Sequence, residues 1–386
     1  MPTNTLLADD EPAAPEKGIA LALSGGGYRA MVFHLGALIR LNEAGLLKRL
    51  SRISSVSGGS ITAAVLGLKW RELSFGVDGV ATNLDIVVDA VRMMAATSVD
   101  AGAIIGGILL PGTIGERVAA AYDKVLFGGA TLQDFPDDRS GQGPRFILNA
   151  TNVQSAALWR FAREYMGDYR VGLVRAPTVP LAMAVAASSA FPPVLSPLPL
   201  KIAQAFDDVK GADLTAATFR RQVFLSDGGV YDNLGLETIE KRYTTLLVSD
   251  AGQKIAPEAS PATDWTRHSL RVLNVIDNQV RSLRQRRLID SFNRKDHSGC
   301  YWSIRADFAD YEAPTDPLGC TGRDPRPLAA IPTRLQAMSR AQQGGLVNWG
   351  YAICDAALRR HFGADAHALY GVTIVEPKGF PIGTGY

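Results

Sequence analysis

The sequence GIALALSGGGYRA, residues 18–30, decides the fold class because it joins an apolar run to a glycine loop and a helix. Residues 19–23 are apolar without interruption, as in the buried strands of a parallel sheet. The three glycines that follow let the backbone turn sharply. The apolar spacing after the loop predicts a helix over residues 28–44, which Gly45 ends.

The same order of elements then repeats, with a predicted strand at residues 53–56 and a predicted helix at 61–70. Strand, helix, strand and helix within about 50 residues begin a parallel α/β layer. We expect further strands at 146–149, 158–161, 223–225, 245–249 and 300–304, and helices within 75–125 and at 181–189, 264–294 and 332–361. The sequence therefore predicts a three-layer α/β/α fold with a mostly parallel central sheet.

This pattern also predicts how the chain is divided. Residues 1–17 are polar and are interpreted as a flexible tail. Residues 18–252 carry the alternating strands and helices and form the predicted core. Residues 253–386 are interpreted as a mainly helical C-terminal extension that packs on this core, because long helical patterns replace the alternation after Pro257.

Composition excludes several classes of protein. The chain has 386 residues, of which 47% are hydrophobic and 20% charged, as expected for a folded protein with a large core. A net charge of +2 gives no general attraction to nucleic acid. Cys300, Cys320 and Cys354 are too few and too widely spaced for a disulfide framework or a zinc cluster. With no secretory signal at the start, we expect a cytoplasmic location and neither metal nor cofactor.

The uncharged stretch at residues 101–115 is shorter than the roughly 20 residues that a membrane-spanning helix needs. It is interpreted as a buried loop and helix, or as a flap that touches lipid or lines an acyl pocket.

The glycine loop has the spacing of a dinucleotide-binding fingerprint, Gly25-x-Gly27-x-x-Ala30. A dinucleotide site also needs an acidic residue about 20 positions further on, and serines occupy that region here. Backbone N–H groups at the start of a helix suit a developing oxyanion as well as a phosphate. The loop therefore favours an oxyanion site, with nucleotide binding as a weaker alternative.

Ser57 lies in Ser55-Val56-Ser57-Gly58-Gly59, between a predicted strand and a predicted helix. A nucleophile elbow places a serine on such a turn and needs small residues beside it. The alternative is a helix N-cap followed by glycines. An ordinary α/β-hydrolase fits poorly because its elbow follows several strands and its acid is followed by a catalytic histidine. The five histidines are interpreted as surface or structural residues, although a triad through one of them stays open.

Asp227 ends the apolar run at residues 223–225 and precedes Gly228 and Gly229. A carboxylate at the end of a buried strand can take a serine proton if it lies within hydrogen-bond reach. The alternative is an ordinary Asp-Gly turn between strands.

Several motifs together resemble the patatin-like phospholipases, in the family's order and over about residues 18–252. They are Gly25-Gly26-Gly27-Tyr28-Arg29, His34-Leu35-Gly36-Ala37-Leu38, Ser57-Gly58-Gly59, Asp227-Gly228-Gly229, and the segments at 149–152 and 187–193. Two positions depart from the family pattern: Ser55 stands where the elbow has its first glycine, and Ala30 where a glycine commonly follows the arginine. Both are small, so the departures bear on substrate fit beside the loop.

The resemblance implies a lipid acyl hydrolase of the phospholipase A or lysophospholipase type, with Ser57 as nucleophile and Asp227 as base. It implies an oxyanion hole from the backbone of Gly25, Gly26 and Gly27 with the N–H of Gly58. It also implies that Arg29 holds the loop or meets a phosphate, and a structural salt bridge is an equal alternative. The expected partner is a phospholipid or other lipid ester, with peripheral membrane contact. A catalytically silent lipid-binding protein and a nucleotide-binding oxidoreductase are the alternatives.

Arginines cluster at residues 281–287 on a predicted helix that also has an apolar side. Such a helix packs its apolar side and solvates its charges, or it rests on anionic headgroups, or it binds a nucleotide or acidic partner.

Overall fold

A ten-stranded mixed sheet forms the centre of the computed structural model, which describes residues 14–99, 113–253 and 255–383. Eight strands follow in the order β10-β9-β1-β2-β3-β4-β5-β6, and β8 pairs with both β3 and β7. The strands are β1 (Glu16–Leu23), β2 (Leu50–Val56), β3 (Arg145–Asn152), β4 (Ala157–Phe161), β5 (Tyr165–Asp168), β6 (Gly172–Arg175), β7 (Leu198–Lys201), β8 (Gln222–Asp227), β9 (Tyr243–Asp250) and β10 (Ser298–Ser303).

Helices lie on both faces of this sheet. They are α1 (Gly27–Glu43), α2 (Gly58–Lys69), α3 (Asp85–Ala95), α4 (Ile114–Tyr122), α5 (Leu181–Ser188), α6 (Ala217–Arg220), α7 (Gly229–Asp232), α8 (Trp265–Asn293), α9 (Arg326–Ala329), α10 (Arg340–Ala357) and α11 (Gly363–Tyr370). Within the described ranges, no helix is long and apolar enough to cross a membrane.

The strands β10, β9, β1, β2 and β3 run parallel, whereas β4 to β8 pair antiparallel. Residues 19–23 of β1 have no solvent exposure, since helices cover both faces of the parallel part. This arrangement confirms the predicted α/β fold with a mostly parallel central sheet.

Two strands meet end to end beside β3, and this arrangement positions the site described below. Along one edge of β3, Asn149 pairs with Val56 of β2 and the next residue, Ala150, pairs with Asp227 of β8. The other edge of β3 pairs with β4. Because β2 is parallel to β3 and β8 is antiparallel, the two strands run toward each other. The residue after Val56 is therefore brought next to the end of β8.

One face of the sheet is covered by α1, α2 and α10, and α1 and α10 cross closely. A Cβ added to Gly36 would lie 2.0 Å from the carbonyl oxygen of Val347, and one added to Gly350 would lie 2.0 Å from that of Phe33. The buried ion pair between Arg40 and Asp355 (2.8 Å) joins the same helices.

The opposite face is covered by residues 234–243 and by Leu288 of α8, which pack on β1, β9 and β10.

Some predicted boundaries differ from the structure, and three short strands were not predicted. The helix predicted over residues 332–361 begins at Arg340, because Ser339 and Gln342 form a capping box there. The strand β1 begins at Glu16, one residue before the predicted end of the tail at residue 17. The short strands β5, β6 and β7 were not predicted, since none of them has a long apolar run.

The helical prediction for residues 75–125 holds for α3 and α4, whereas residues 75–84 form turns and isolated bridges. Most of the predicted tail (residues 1–13) and of the predicted flap (residues 100–112) lies outside the described residues.

Candidate active site

Ser57 occupies a strained turn between β2 and α2. Its φ of 52° and ψ of −121° are rare for a residue with a side chain. Two glycines make this turn fit: a Cβ on Gly58 would lie 2.0 Å from the carbonyl oxygen of Gly27, and one on Gly59 would lie 2.4 Å from that of Leu23. The turn therefore has the strained backbone that the predicted nucleophile elbow requires, and the glycine loop packs directly against it.

Hydrogen bonds of buried serine hydroxyl groups hold the turn at Ser57 in place. The Ser57 N–H donates to Ser188 Oγ (3.1 Å), and the Ser188 hydroxyl donates to the carbonyl oxygen of Asn149 (2.6 Å). The hydroxyl of Ser55 donates to the Ile147 carbonyl oxygen (3.2 Å) and accepts from Ser60 (3.0 Å). The hydroxyl of Ser55, at the first position of the predicted elbow, is thus fully hydrogen-bonded. A glycine at this position would make neither hydrogen bond.

Asp227 ends β8 with its carboxyl group buried. Its Oδ1 accepts from the Gly229 N–H (2.7 Å), and its Oδ2 is buried with no hydrogen-bond partner among the described residues. Burial raises the pKa of Asp227 to about 7, although the Gly229 N–H and the Ser57 hydroxyl act to lower that pKa. The carboxyl group therefore titrates near neutrality beside Ser57 and keeps one oxygen atom without a partner.

The glycine loop lies against Ser57. A Cβ on Gly25 would approach Ser57 Cβ to 3.2 Å. The Gly25 N–H already donates to the Asn233 carbonyl oxygen (3.1 Å). The N–H groups of Gly26, Gly27 and Gly58 have no acceptor in the described part of the chain. Of the four residues predicted for the oxyanion hole, these three keep a donor for a ligand.

The start of α1 is covered by backbone from the C-terminal region. The Tyr28 N–H donates to the Arg334 carbonyl oxygen (3.0 Å), and a Cβ on Gly27 would lie 2.8 Å from the same oxygen. A pyrophosphate bound at a helix N-terminus needs those N–H groups and that space. The arrangement therefore disfavours dinucleotide binding at this loop.

Arg29 is buried and faces away from solvent. Its Nε and Nη2 donate to the Ala251 carbonyl oxygen (3.1 and 3.0 Å), and its Nη1 donates to that of Ile331. Burial lowers the pKa of Arg29 to about 10, against the attraction of Asp250. Of the roles predicted for Arg29, these contacts fit the one that holds the glycine loop, here to the end of β9.

Asn233 was not singled out from the sequence. In addition to the backbone bond to Gly25, its Oδ1 would lie 2.4 Å from a Cβ on Gly25 and 2.7 Å from one on Gly229. Its side chain therefore sits between the glycine loop and the Asp-Gly-Gly turn. The signal that the sequence did offer is the position of Asn233, six residues after Asp227 on the segment that follows the Asp-Gly-Gly turn.

The histidines lie elsewhere. His34 is buried and bonds to Ser249 Oγ (2.8 Å) and to the Ser24 carbonyl oxygen (2.9 Å). Burial lowers the pKa of His34 to about 4, so the ring is neutral at physiological pH. Throughout the described ranges, no histidine is hydrogen-bonded to Ser57 or Asp227.

Among the described residues, the carboxylates of one group lie close enough together to bind a metal ion. They belong to Asp137, Asp138 and Glu164. The sequence did not reveal it because Glu164 is distant from the other two in the chain. Arg145, the first residue of β3, bonds to Asp138 (2.9 Å). The group therefore lies at the end of β3 opposite to Ser57.

A family model described as patatin-like phospholipase matches residues 21–239, which include the glycine loop, Ser57 and Asp227. Human GIVD cytosolic phospholipase A2 has a similar structure, with a TM-score of 0.53 and 14% identity over 92% of this chain and 60% of that one.

The complex of that human protein with methyl gamma-linolenyl fluorophosphonate gives a TM-score of 0.51 and 16% identity, over 92% of this chain and 58% of that one. No curated protein matches the chain. At these identities the solved structures share the fold, and the chain spans about 60% of their length.

Proposed function

The chain belongs to the patatin-like phospholipase family, and we propose that it hydrolyses carboxylic esters of membrane lipids through Ser57 and Asp227. The reaction is of the phospholipase A or lysophospholipase type and passes through an acyl-enzyme. The substrate is a phospholipid or other lipid ester, and the protein works in the cytoplasm with peripheral contact to a membrane.

One observation carries this proposal. The strands β2 and β8 end beside each other on β3, so that a strained serine lies next to a buried carboxyl group whose Oδ2 has no hydrogen-bond partner in the described ranges. A serine needs an adjacent base to become a nucleophile. A base with a pKa near the working pH is the most effective one, and the pKa of Asp227 is raised to about 7.

In the first half-reaction, Ser57 Oγ attacks the ester carbonyl carbon while Asp227 Oδ2 accepts the hydroxyl proton. The carbonyl oxygen becomes an oxyanion, which the N–H groups of Gly26, Gly27 and Gly58 stabilise. Collapse of this intermediate breaks the bond to the leaving alcohol, and the alcohol takes the proton from Asp227. The acyl group is then esterified to Ser57.

In the second half-reaction, Asp227 takes a proton from water as the water oxygen attacks the acyl-enzyme. The same N–H groups stabilise the second oxyanion. The bond to Ser57 Oγ then breaks, Ser57 recovers its proton from Asp227, and the fatty acid leaves. The chemistry of both halves is supplied by this chain's residues and water.

Fatty-acid release from mixed phospholipid vesicles tests the proposal with wild type, Ser57→Ala and Asp227→Asn. We expect both variants to lose at least about 10³-fold in rate, because nucleophile and base act as one unit. Ser140→Ala is a control, since Ser140 is an exposed serine whose hydroxyl donates to the Asp137 carbonyl oxygen (3.1 Å), at the end of β3 opposite to Ser57. Full release by Ser57→Ala would refute the mechanism.

A wild type that releases no fatty acid is examined with a fluorophosphonate, which esterifies an activated serine. Labelling of wild type but not of Ser57→Ala supports an active dyad that requires an activator. No labelling would favour the alternative of a silent lipid-binding protein.

A further inference from the structure

The helix α8 presents an apolar face to solvent. Trp265 is 80% exposed, Leu273 60% and Ile276 50%. Nine large apolar side chains of α8 are exposed, and Leu270 (37%) and Ile289 (36%), the least exposed of them, lie away from Ile276. The other seven lie on one side of the helix because their positions recur at intervals of three, four or seven residues. They are Trp265, Val272, Leu273, Val275, Ile276, Val280 and Leu283, which we call the outer face of α8.

The opposite side of α8 holds the helix to the protein. Arg281 and Leu288 are buried. Arg281 lies against Gly252, where an added Cβ would be 2.0 Å from its Nη1, and it lowers the pKa of Asp250 against the effect of burial. At about 100° per residue, Arg281 and Leu288 point roughly 140° and 120° away from Ile276. The outer face is therefore turned away from the body of the protein.

The same helix borders the candidate active site. Arg284 donates to the Tyr231 carbonyl oxygen (3.5 Å), in the short helix that follows the Asp-Gly-Gly turn. Val230 of that short helix is 54% exposed. Phe191, which is 52% exposed, follows the residue whose carbonyl oxygen accepts from the Asp227 N–H. Exposed apolar side chains thus lie beside Asp227 as well as along α8.

Charge indicates what this face would contact. Residues 265–293 contain six arginines and two aspartates, a net charge of +4 (6 − 2). Arg267, Arg286 and Arg287 are exposed, although Arg267 and Arg287 also pair with Asp264 and Glu240, which lie outside the helix. A helix with an apolar side, arginines and a tryptophan at its end is typical of segments that lie in the surface of an anionic bilayer.

We propose that the outer face of α8 binds an anionic phospholipid surface. This binding would place the Ser57–Asp227 site next to the same surface. The inference rests on the proposed function for the identity of the substrate, whereas binding to lipid does not require catalysis. The proposal also assigns roles to three arginines of the cluster at 281–287. Arg281 and Arg284 hold the helix to the protein, and the exposed Arg286 is available to lipid headgroups.

A second copy of the chain fits this face less well. In a coiled coil, two positions of each heptad form a continuous apolar seam. A seam through Val272, Ile276 and Leu283 would also include Ser269 and Gln279, which are polar. Viewed along the helix axis, the apolar side chains cover an arc of about 160°, with Val275 at one edge and Leu273 at the other. This arc is wider than the seam of a coiled coil.

The test measures co-sedimentation with vesicles of phosphatidylcholine containing 30% phosphatidylglycerol, in a Ser57→Ala background that leaves the lipid intact. Leu273→Glu/Ile276→Glu places two carboxylates on the outer face. Asn274→Glu/Asn278→Glu places the same charges on the opposite side of the same turns. We expect the first pair to weaken binding at least about tenfold, and the control pair to change it less than about threefold.

Equal binding by the two pairs of variants, or no binding by the parent protein, would overturn the proposal. So would an outer-face variant that loses a dimer in size-exclusion chromatography and keeps its vesicle binding, since a second copy would then be the occupant.

With Ser57 restored, the outer-face variant should hydrolyse a water-soluble short-chain ester at the wild-type rate and vesicle lipid more slowly. Loss of vesicle binding in a protein that hydrolyses neither substrate would support the inference while refuting the proposed function.

Discussion

The buried carboxyl group of Asp227 sets the pH range of the proposed reaction. The base must be deprotonated, and burial raises its pKa to about 7. We therefore expect log(kcat/KM) for a soluble ester to rise with a slope of about one up to pH 7 and to level off above it. Initial rates between pH 5 and 9 measure this. A rate independent of pH from 5 to 8 would contradict a base with the pKa of Asp227.

The same carboxyl group should cost stability when it is charged. Because its pKa is higher in the folded protein than in the unfolded chain, stability falls as pH rises from about 4 to about 7 and is constant above. Asp227→Asn removes the charge and keeps an oxygen for the Gly229 N–H. We expect this variant to gain about 1–3 kcal/mol in unfolding free energy at pH 8 and little at pH 4.

Urea denaturation at the two pH values gives the comparison. An Asp227→Asn protein that is less stable than wild type at pH 8 would show that the carboxylate is stabilised in the fold.

At this scale the sequence singles out candidate residues that stand in local motifs. Ser57 and Asp227 each follow an apolar run and precede paired glycines, so each could be identified from its neighbours. Asn233 could not, because its role depends on the backbone of Gly25, which is remote in the chain. The occupied N–H of Gly25 was equally invisible, since only the folded chain supplies the carbonyl oxygen of Asn233.

At the scale of elements, the crossing of α1 and α10 depends on glycine. A Cβ at Gly350 would lie 2.0 Å from the Phe33 carbonyl oxygen, so Gly350→Ala must force the helices apart. We expect a loss of about 1–3 kcal/mol in unfolding free energy, as for other overpacked contacts. Gly363→Ala is the matched control, because its Cβ would meet its nearest atom at 3.7 Å and the helix gains propensity.

Chemical denaturation of the two variants measures this difference. Equal midpoints for Gly350→Ala and Gly363→Ala would mean that the helices can separate without cost.

Elements with a strong period or a continuous apolar run were predicted well, as β1, α1 and β9 illustrate. The start of α10 was misplaced because the apolar pattern continues before Ser339, and only the capping box ends it. The pairing of β3 with both β2 and β8 on one edge was not predicted. Periodicity reports which face of a strand is buried, and it contains no information on which strand lies beside it.

At the scale of the whole molecule, the C-terminal region shares the core of the residues before it. The strand β10 pairs with β9 inside the sheet, and Asp355 of α10 bonds to Arg40 of α1. We therefore expect one cooperative transition in scanning calorimetry, in keeping with the prediction that the C-terminal extension packs on the core. Two transitions, with residues 253–386 melting separately, would contradict this expectation.

The meeting of β2 and β8 beside β3 also fixes when during synthesis the protein can become active. Ser57 and its turn are made early, whereas Asp227 follows 170 residues later in the sequence (227 − 57). Contacts so distant along the chain form only after the intervening loop has closed. Under the proposed mechanism, a nascent chain on the ribosome therefore carries the serine without its base, and it has no activity toward lipid until most of its length has been translated.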